Sequence, residues 1–301
     1  MTSPGQRSAD RTIEPGGRMT ARPATRFSPT EQPSPSQRGA APVGSIVGGL
    51  PDRLRRLGFR SGVTDADGTA TDSQEFAATA RRAAKGLARR GMRPDDVVGV
   101  LAPVGTERLT ACYATMGAGG RALPLELASD LETLIDVLAA TDARIILATA
   151  PLALIALELA ERSRVRQVIS FGTVPETTPF DELLQRADDG YDPSHGLFSN
   201  GIVSYRSAAD GVHTTLHGHI ELLDRFRRFD ADLALTPSDT VLLEPGAPES
   251  VRAVLAAVAL WNGSSLVSTD GVEEAAVREV AAEVGATVRC DATPMRVSPD
   301  P

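Results

Sequence analysis

The sequence is nearly devoid of lysine: Lys85 is the only one, and arginine supplies every other basic side chain apart from histidine. Chemistry that needs a lysine at a phosphate must therefore use Lys85 or do without. Cysteine is almost as scarce. Cys112 and Cys290 stand far apart, which excludes a disulfide framework and the paired spacing of a zinc site. No apolar run approaches the roughly 20 residues that cross a bilayer, so no membrane span is expected. An excess of basic charge is missing too. Against 31 Lys and Arg stand 39 Asp and Glu, a net charge of −8. Phosphate backbones are held by clustered cations, so a diffusely acidic chain argues against a nucleic-acid partner. Two thiols without a framework fit a reducing, cytoplasmic setting.

What is present is an ordinary globular composition, 42% hydrophobic over 301 residues. Residues 1–45 are the exception. They are rich in Pro, Ser, Gly and Arg and show no apolar period, which predicts a disordered tail. Thereafter the periodicity alternates. Phe76, Ala80, Ala83, Ala84 and Leu87 fall on one face of a helix over 73–90, with Ser73 as N-cap and Gly91 just past its end. Residues 95–103, 121–126, 144–148 and 165–170 read as strands, separated by helices over 106–117, 130–140 and 151–163. A second series follows: strand 201–205, a polar loop, helix 217–229, strand 238–244, helix 249–261, strand 264–268, helix 272–284 and strand 286–291. The expectation is an α/β fold with layered, mostly parallel sheets and helices on both faces. Two subdomains are expected, over 46–198 and 199–293, divided by the polar stretch 187–199, with 294–301 as a tail.

Few motifs carry chemistry. The glycines at 117, 119 and 120 follow a helix and precede a strand, so they read as a helix C-cap and not as a dinucleotide loop. His213, His217 and His219 lie close in sequence but lack a converging carboxylate or cysteine, so no metal site is expected. The loop 205–215 runs from a strand to a helix start, where backbone N–H groups and the positive helix end can hold phosphate. Ser207, Thr214 and Thr215 would add hydroxyls and Gly211 flexibility. An ordinary connecting loop is the alternative reading. Arg225, Arg227 and Arg228 read as a solvated helix face, and no nucleophile elbow is present.

The order of these segments resembles the N-terminal region of adenylate-forming enzymes, the acyl-CoA synthetases and their relatives. The stretches "DADGTATDSQEFAATARRAAKGLARRGMRPDDVVGVLAP" (65–103) and "ACYATMGAGGRALPLELASDLETLIDVLAATDARIILAT" (111–149) carry the likeness. So do "LTPSDTVLLEPGAP" (235–248) and "LAAVALWNGSSLVSTD" (255–270). The resemblance implies that 204–215 corresponds to the family's Ser/Thr-Gly-rich phosphate loop. One frame sets Tyr205, Ser207, Gly211 and Thr214 on the loop's aromatic, serine, glycine and lysine. A frame shifted by one sets His213 on the lysine and His219 on a downstream histidine. Both frames lose the lysine and most glycines, and both place Asp210 where a triphosphate would lie. "EPGAP" (244–248) likewise lacks the aromatic and histidine that the family carries near its acyl pocket.

The resemblance implies ATP or AMP with Mg²⁺ as the group such a loop would hold, on Ser207, Gly211, His213, Thr214 and Thr215. No catalytic or metal-binding residue is identified. As given, the sequence also ends before the family's metal-holding and catalytic-lysine motifs. The expectation is therefore an incomplete homologue without ligase activity of its own. It would act by binding a small ligand or a partner protein, or by self-association through exposed apolar surface. The alternative is an acyl-adenylating ligase completed by another chain, and a third reading is a decayed gene product.

Overall fold

The computed structural model describes residues 42, 44–57, 61–185, 200–290 and 292–297. Most of the predicted tail and the polar stretch 187–199 lie outside these residues. Within the predicted tail, Gly44 and Ser45 are described and buried beside the core residue Ile46.

Among the described residues the strands form two sheets. The first gathers β1 (Gly62–Thr64), β2 (Ala70–Asp72), β10 (Thr240–Leu243), β11 (Ser265–Ser268), β12 (Val288–Cys290) and β13 (Pro294–Arg296), in the order β13-β12-β10-β11-β1-β2. The second gathers β3 (Val97–Leu101), β4 (Arg121–Pro124), β5 (Ile145–Thr149), β6 (Gln167–Phe171), β7 (Thr178–Pro179), β8 (Gly201–Ala208) and β9 (Gly211–Gly218), in the order β7-β6-β5-β3-β4-β8-β9. Pairing is parallel throughout the interior and antiparallel only at β1–β2, β12–β13 and β8–β9. The α/β fold with mainly parallel sheets is as the sequence implies.

Five layers follow from which faces are apolar. Strands buried on both sides read as continuous apolar runs, and β5 shows why. Ile145 and Leu147 point into one core, Ile146 and Ala148 into another. The central core lies between the sheets. It is filled by α1 (Leu50–Leu57), α2 (Ser73–Arg89), α3 (Thr106–Gly117), the inner face of α7 (His219–Leu233) and α8 (Glu249–Asn262). Outside the second sheet, α4 (Leu131–Ala140) and α5 (Ala153–Glu161) cover the opposite face, and α9 (Glu274–Val284) covers the first sheet's outer face. A short helix, α6 (Asp181–Leu184), packs on α2. α8 is buried on nearly every side, which fits a sequence made mostly of Ala, Val and Leu. The Tyr113 hydroxyl on α3 donates to the Ala253 carbonyl of α8 at 3.0 Å, and Phe76 of α2 meets the Tyr113 ring edge-on.

Several expectations are corrected in detail. Asp72, not Ser73, caps α2, accepting from the amides of Gln74 and Glu75; Ser73 is instead buried, its hydroxyl 2.9 Å from that of Ser61. Residues 294–296, expected as tail, form β13 on β12. Sheet membership does not follow the expected split near residue 199. β1 and β2 join the sheet of the later strands, and β8–β9 extend the sheet of the earlier ones by pairing with β4 at Arg121 and Ala122. β1 and β2 are only three residues long, too short to carry a period. The 117–120 glycines close α3 as expected: Gly119, at φ +86°, donates to Met116, and Gly120 to Thr115.

Candidate functional site

The carboxyl ends of parallel strands, where the chain turns toward helices, are where such sheets leave room for ligands. Here the ends of β3, β4, β10 and β11 open together on one cleft of about 730 Å³. Its walls are largely apolar, from Pro103, Val104, Leu125, Leu127, Val203 and Ala247.

Beneath the cleft lies a buried ion triad. Arg108 of α3 donates from Nε to Glu249 Oε2 at 3.0 Å, and Arg252 donates from Nη2 to the same oxygen at 2.5 Å. Each of the three side chains is less than a tenth exposed. Backbone carbonyls hold the guanidinium groups in place: Ala102 and Leu125 accept from Arg108, Glu244 and Pro245 from Arg252. Burial works against the Glu249 carboxylate, but the two arginines more than offset it and hold its pKa down to about 2. Among the described residues, Glu249 Oε1 and Arg252 Nε have no hydrogen-bond partner. At the first turn of α3, the Asp65 carboxylate accepts the Thr106 amide at 2.7 Å. Burial, with the Asp65 charge nearby, raises the neighbouring Glu107 to about 7.

Along the cleft's rim runs a chain of polar side chains. Ser204 Oγ is 3.0 Å from His217 Nε2, and His217 Nδ1 is 2.9 Å from Glu221 Oε1. Arg225 bonds the same Glu221 oxygen at 2.8 Å and reaches Ser250 Oγ at 2.6 Å. Tyr205, on the opposite face of β8 from Ser204, accepts the Glu126 amide at 2.8 Å.

The stretch predicted as a strand-to-helix loop is instead a hairpin. Tyr205 pairs with Thr214, Arg206 with His213, Ser207 with Val212 and Ala208 with Gly211, leaving Ala209 and Asp210 as the turn. Neither turn residue has positive φ; Gly211, at φ +122°, takes that position. Ser207, Gly211, His213, Thr214 and Thr215 therefore sit on the exposed outer half of the hairpin, off the cleft, and His213 pairs with Asp210 at 2.8 Å. ATP and Mg²⁺ do not fit this arrangement. The ladder interrupts any contiguous run of free amides, such as an anion nest requires, and an acid occupies the tip. The local signal for the hairpin is the Asp210–Gly211 dipeptide, although the turn itself falls one residue earlier, at Ala209–Asp210.

The three histidines of this region do not converge. His213 and His217 have separate carboxylate partners, and His219 opens α7. Among the described residues no three His, Cys, Asp or Glu side chains are grouped to hold a metal ion. The buried triad was invisible in sequence, because Arg108 and Glu249 are 141 positions apart and each looks like a helix-surface charge.

No curated protein matches the chain. Many solved structures share its fold. An apo structure of MatB from Rhodopseudomonas palustris aligns at TM-score 0.66 and 20% identity, over 82% of this chain and 48% of that one. A long-chain-fatty-acid-CoA ligase from Archaeoglobus fulgidus aligns at 0.65 and 15%, over 80% and 50%. A natural red emitting luciferase from Phrixothrix hirtus aligns at 0.69 and 13%, over 83% and 52%. The chain thus spans about half the length of these structures. At such identities the likeness concerns the fold. The family model of AMP-binding enzymes, however, matches residues 60–213, just over half of the sequence. That segment runs from β1 through the second sheet into the β8–β9 hairpin, and on this match the chain belongs to the AMP-binding enzyme family.

Proposed function

We infer that this chain is a ligand-binding member of its family that forms no acyl-adenylate by itself, and that its ligand is a small, mainly apolar organic molecule held in the cleft between the sheets. One observation carries the reading. The residues of the phosphate-loop stretch are zipped into a ladder with Asp210 at its tip, while the cleft beside them stays open at about 730 Å³. Adenylation gathers negative charge on the α-phosphate in its transition state, and catalysis requires donors aimed at that charge. The hairpin supplies neither a lysine nor an amide cradle. A small ligand is a better fit than a protein partner, because among the described residues the exposed large apolar side chains are scattered over separate elements: Leu127 after β4, Leu154 and Ile155 on α5, Leu216 on β9, Ile220 on α7 and Met295 on β13.

The test is ATP–pyrophosphate exchange with a panel of carboxylic acids and Mg²⁺, beside calorimetric titration of the same acids. Binding of an acid without exchange supports the reading. Exchange above background, lost on Thr214→Ala or His213→Ala, overturns it. A second reading is an acyl-adenylating ligase completed by another polypeptide. It draws on the family match and on the likeness in fold to solved CoA ligases. Exchange that appears only when the C-terminal part of a family ligase is added separately would favour it.

A further inference from the structure

Three side chains on the cleft rim stand in the relation of nucleophile, base and orienting acid. Ser204 of β8 and Thr215 of β9 are cross-strand partners, so His217, two residues along, is Ser204's diagonal neighbour on the same face. Its Nε2 lies 3.0 Å from Ser204 Oγ and its Nδ1 lies 2.9 Å from Glu221 Oε1. An ionised carboxylate only accepts, so Nδ1 carries the proton of the neutral ring. Nε2 is then left as an acceptor, and the Ser204 hydroxyl must donate to it. That is the tautomer in which an imidazole withdraws a proton from a serine. Glu221 is fixed in turn by Arg225, whose other nitrogen reaches Ser250 in the first turn of α8. The chain of contacts thus ends at a helix N-terminus bordering the cleft, where Pro248, Glu249, Ser250 and Val251 line the wall. The Val251 and Arg252 amides there donate to the Pro248 carbonyl, which closes the first turn. Ser204 and His217 both line the cleft.

We propose that Ser204, His217 and Glu221 form an acyl-transfer triad that hydrolyses esters or thioesters with an apolar acyl group. Ser204 Oγ bonds to the acyl carbon while its proton passes to His217 Nε2. The tetrahedral intermediate collapses, the carbon–oxygen or carbon–sulfur bond breaks, and the leaving alcohol or thiol takes that proton. Water then adds to the acyl-serine by the same route and releases the carboxylic acid with Ser204 restored. The co-reactant is water, and no nucleotide or metal enters. This goes beyond the binding reading, since a cleft that holds an apolar molecule need not transform it.

The experiment uses the full chain, a fluorophosphonate probe and p-nitrophenyl butyrate. The expected result is a covalent adduct mapped by mass spectrometry to Ser204. Ester hydrolysis should fall at least ~100-fold in Ser204→Ala and in His217→Ala, the scale of general-base contributions. Ser207→Ala, three residues along the strand and therefore on its other face, should keep both adduct and hydrolysis. Circular dichroism melts accompany each variant, and His217→Gln replaces His217→Ala if that variant melts early. An unlabelled Ser204 in folded protein, or hydrolysis that survives Ser204→Ala, overturns the proposal. If the Ser204–His217 bond only stiffens the hairpin, the variants move the melt and leave the adduct absent, which overturns it equally. ATP–pyrophosphate exchange reads the earlier inference independently of these outcomes.

Discussion

Arg108 and Glu249 meet at 3.0 Å beneath the cleft, each less than a tenth exposed, and so tie α3 to the first turn of α8. Together with Arg252 they place two cations and one anion in the interior. Removing the anion leaves two buried guanidinium groups without their carboxylate, and breaking a buried pair this way costs about 3–5 kcal/mol. Glu249→Gln is expected to lose that much stability at pH 7. The pH dependence follows from the carboxyl's depressed pKa. A group at about 2 when folded, against 4.5 ordinarily, contributes fully above pH 4.5, and that contribution is lost as pH falls toward 2. The loss is on the order of 3 kcal/mol. Urea melts between pH 2 and 7 should show this acid limb in the parent chain. It should be missing in Glu249→Gln; an unchanged limb would exclude the triad as its source.

Glu107 should act in the opposite sense. Burial and the Asp65 charge raise it to about 7, so the folded state keeps its proton more tightly than the unfolded chain. Stability attributable to it is highest below pH 4.5, declines as pH rises toward 7, and levels off above. Glu107→Gln cannot ionise and should remove that decline. With partial solvent screening, we expect the variant to be more stable than the parent by about 1–2 kcal/mol at pH 8. Equal stabilities at pH 8, or a variant that is weaker there, would show that the Glu107 carboxyl is not desolvated.

The elements buried on both faces were legible in the sequence because their apolar runs are continuous. β3, β5 and α8 are of this kind, and α2 with its Ala-rich face is close to it. Legibility failed where structure depends on pairing across distance. The β8–β9 hairpin sits at a sheet edge with its outer half exposed, so it has little period-2 signal, and its polar residues read as a loop. Ser207, Gly211, His213, Thr214 and Thr215 thus lie on a hairpin, and the helix entry expected beside them begins only at His219. The residues that line the cleft come instead from strand ends and helix starts as far apart as Ala102 and Asp270, and no local pattern announces that they meet.

Cys112 and Cys290 are both fully buried, and burial pushes the Cys112 thiol well above its ordinary range. Thiolates, not thiols, react with disulfide reagents. A titration with an aromatic disulfide at pH 8 should therefore find almost no fast thiol in the native chain and two after unfolding in guanidinium. One fast native thiol would mean that the α3 core or the β12–β13 edge opens far more readily than this packing allows.

Gly86 lies in the last turn of α2, where glycine costs up to about 1 kcal/mol relative to alanine. The neighbouring backbone explains why it is tolerated. A Cβ at this position would lie 2.4 Å from the Leu183 carbonyl oxygen and 2.7 Å from its Cα, both backbone atoms of α6. The nearby Arg89 guanidinium donates to that same carbonyl at 3.2 Å, so the contact is also a hydrogen-bonded one. Gly86→Ala gains helix propensity but must push α6 away from α2 and stretch the Arg89 bond. Overpacking of this kind costs about 1–3 kcal/mol, more than the propensity gain at its upper end. We expect a net loss of up to about 2 kcal/mol, read as a lower Tm, together with faster hydrogen exchange in residues 181–184. A variant as stable as the parent, with α6 equally protected, would mean that the two helices are not packed backbone to backbone.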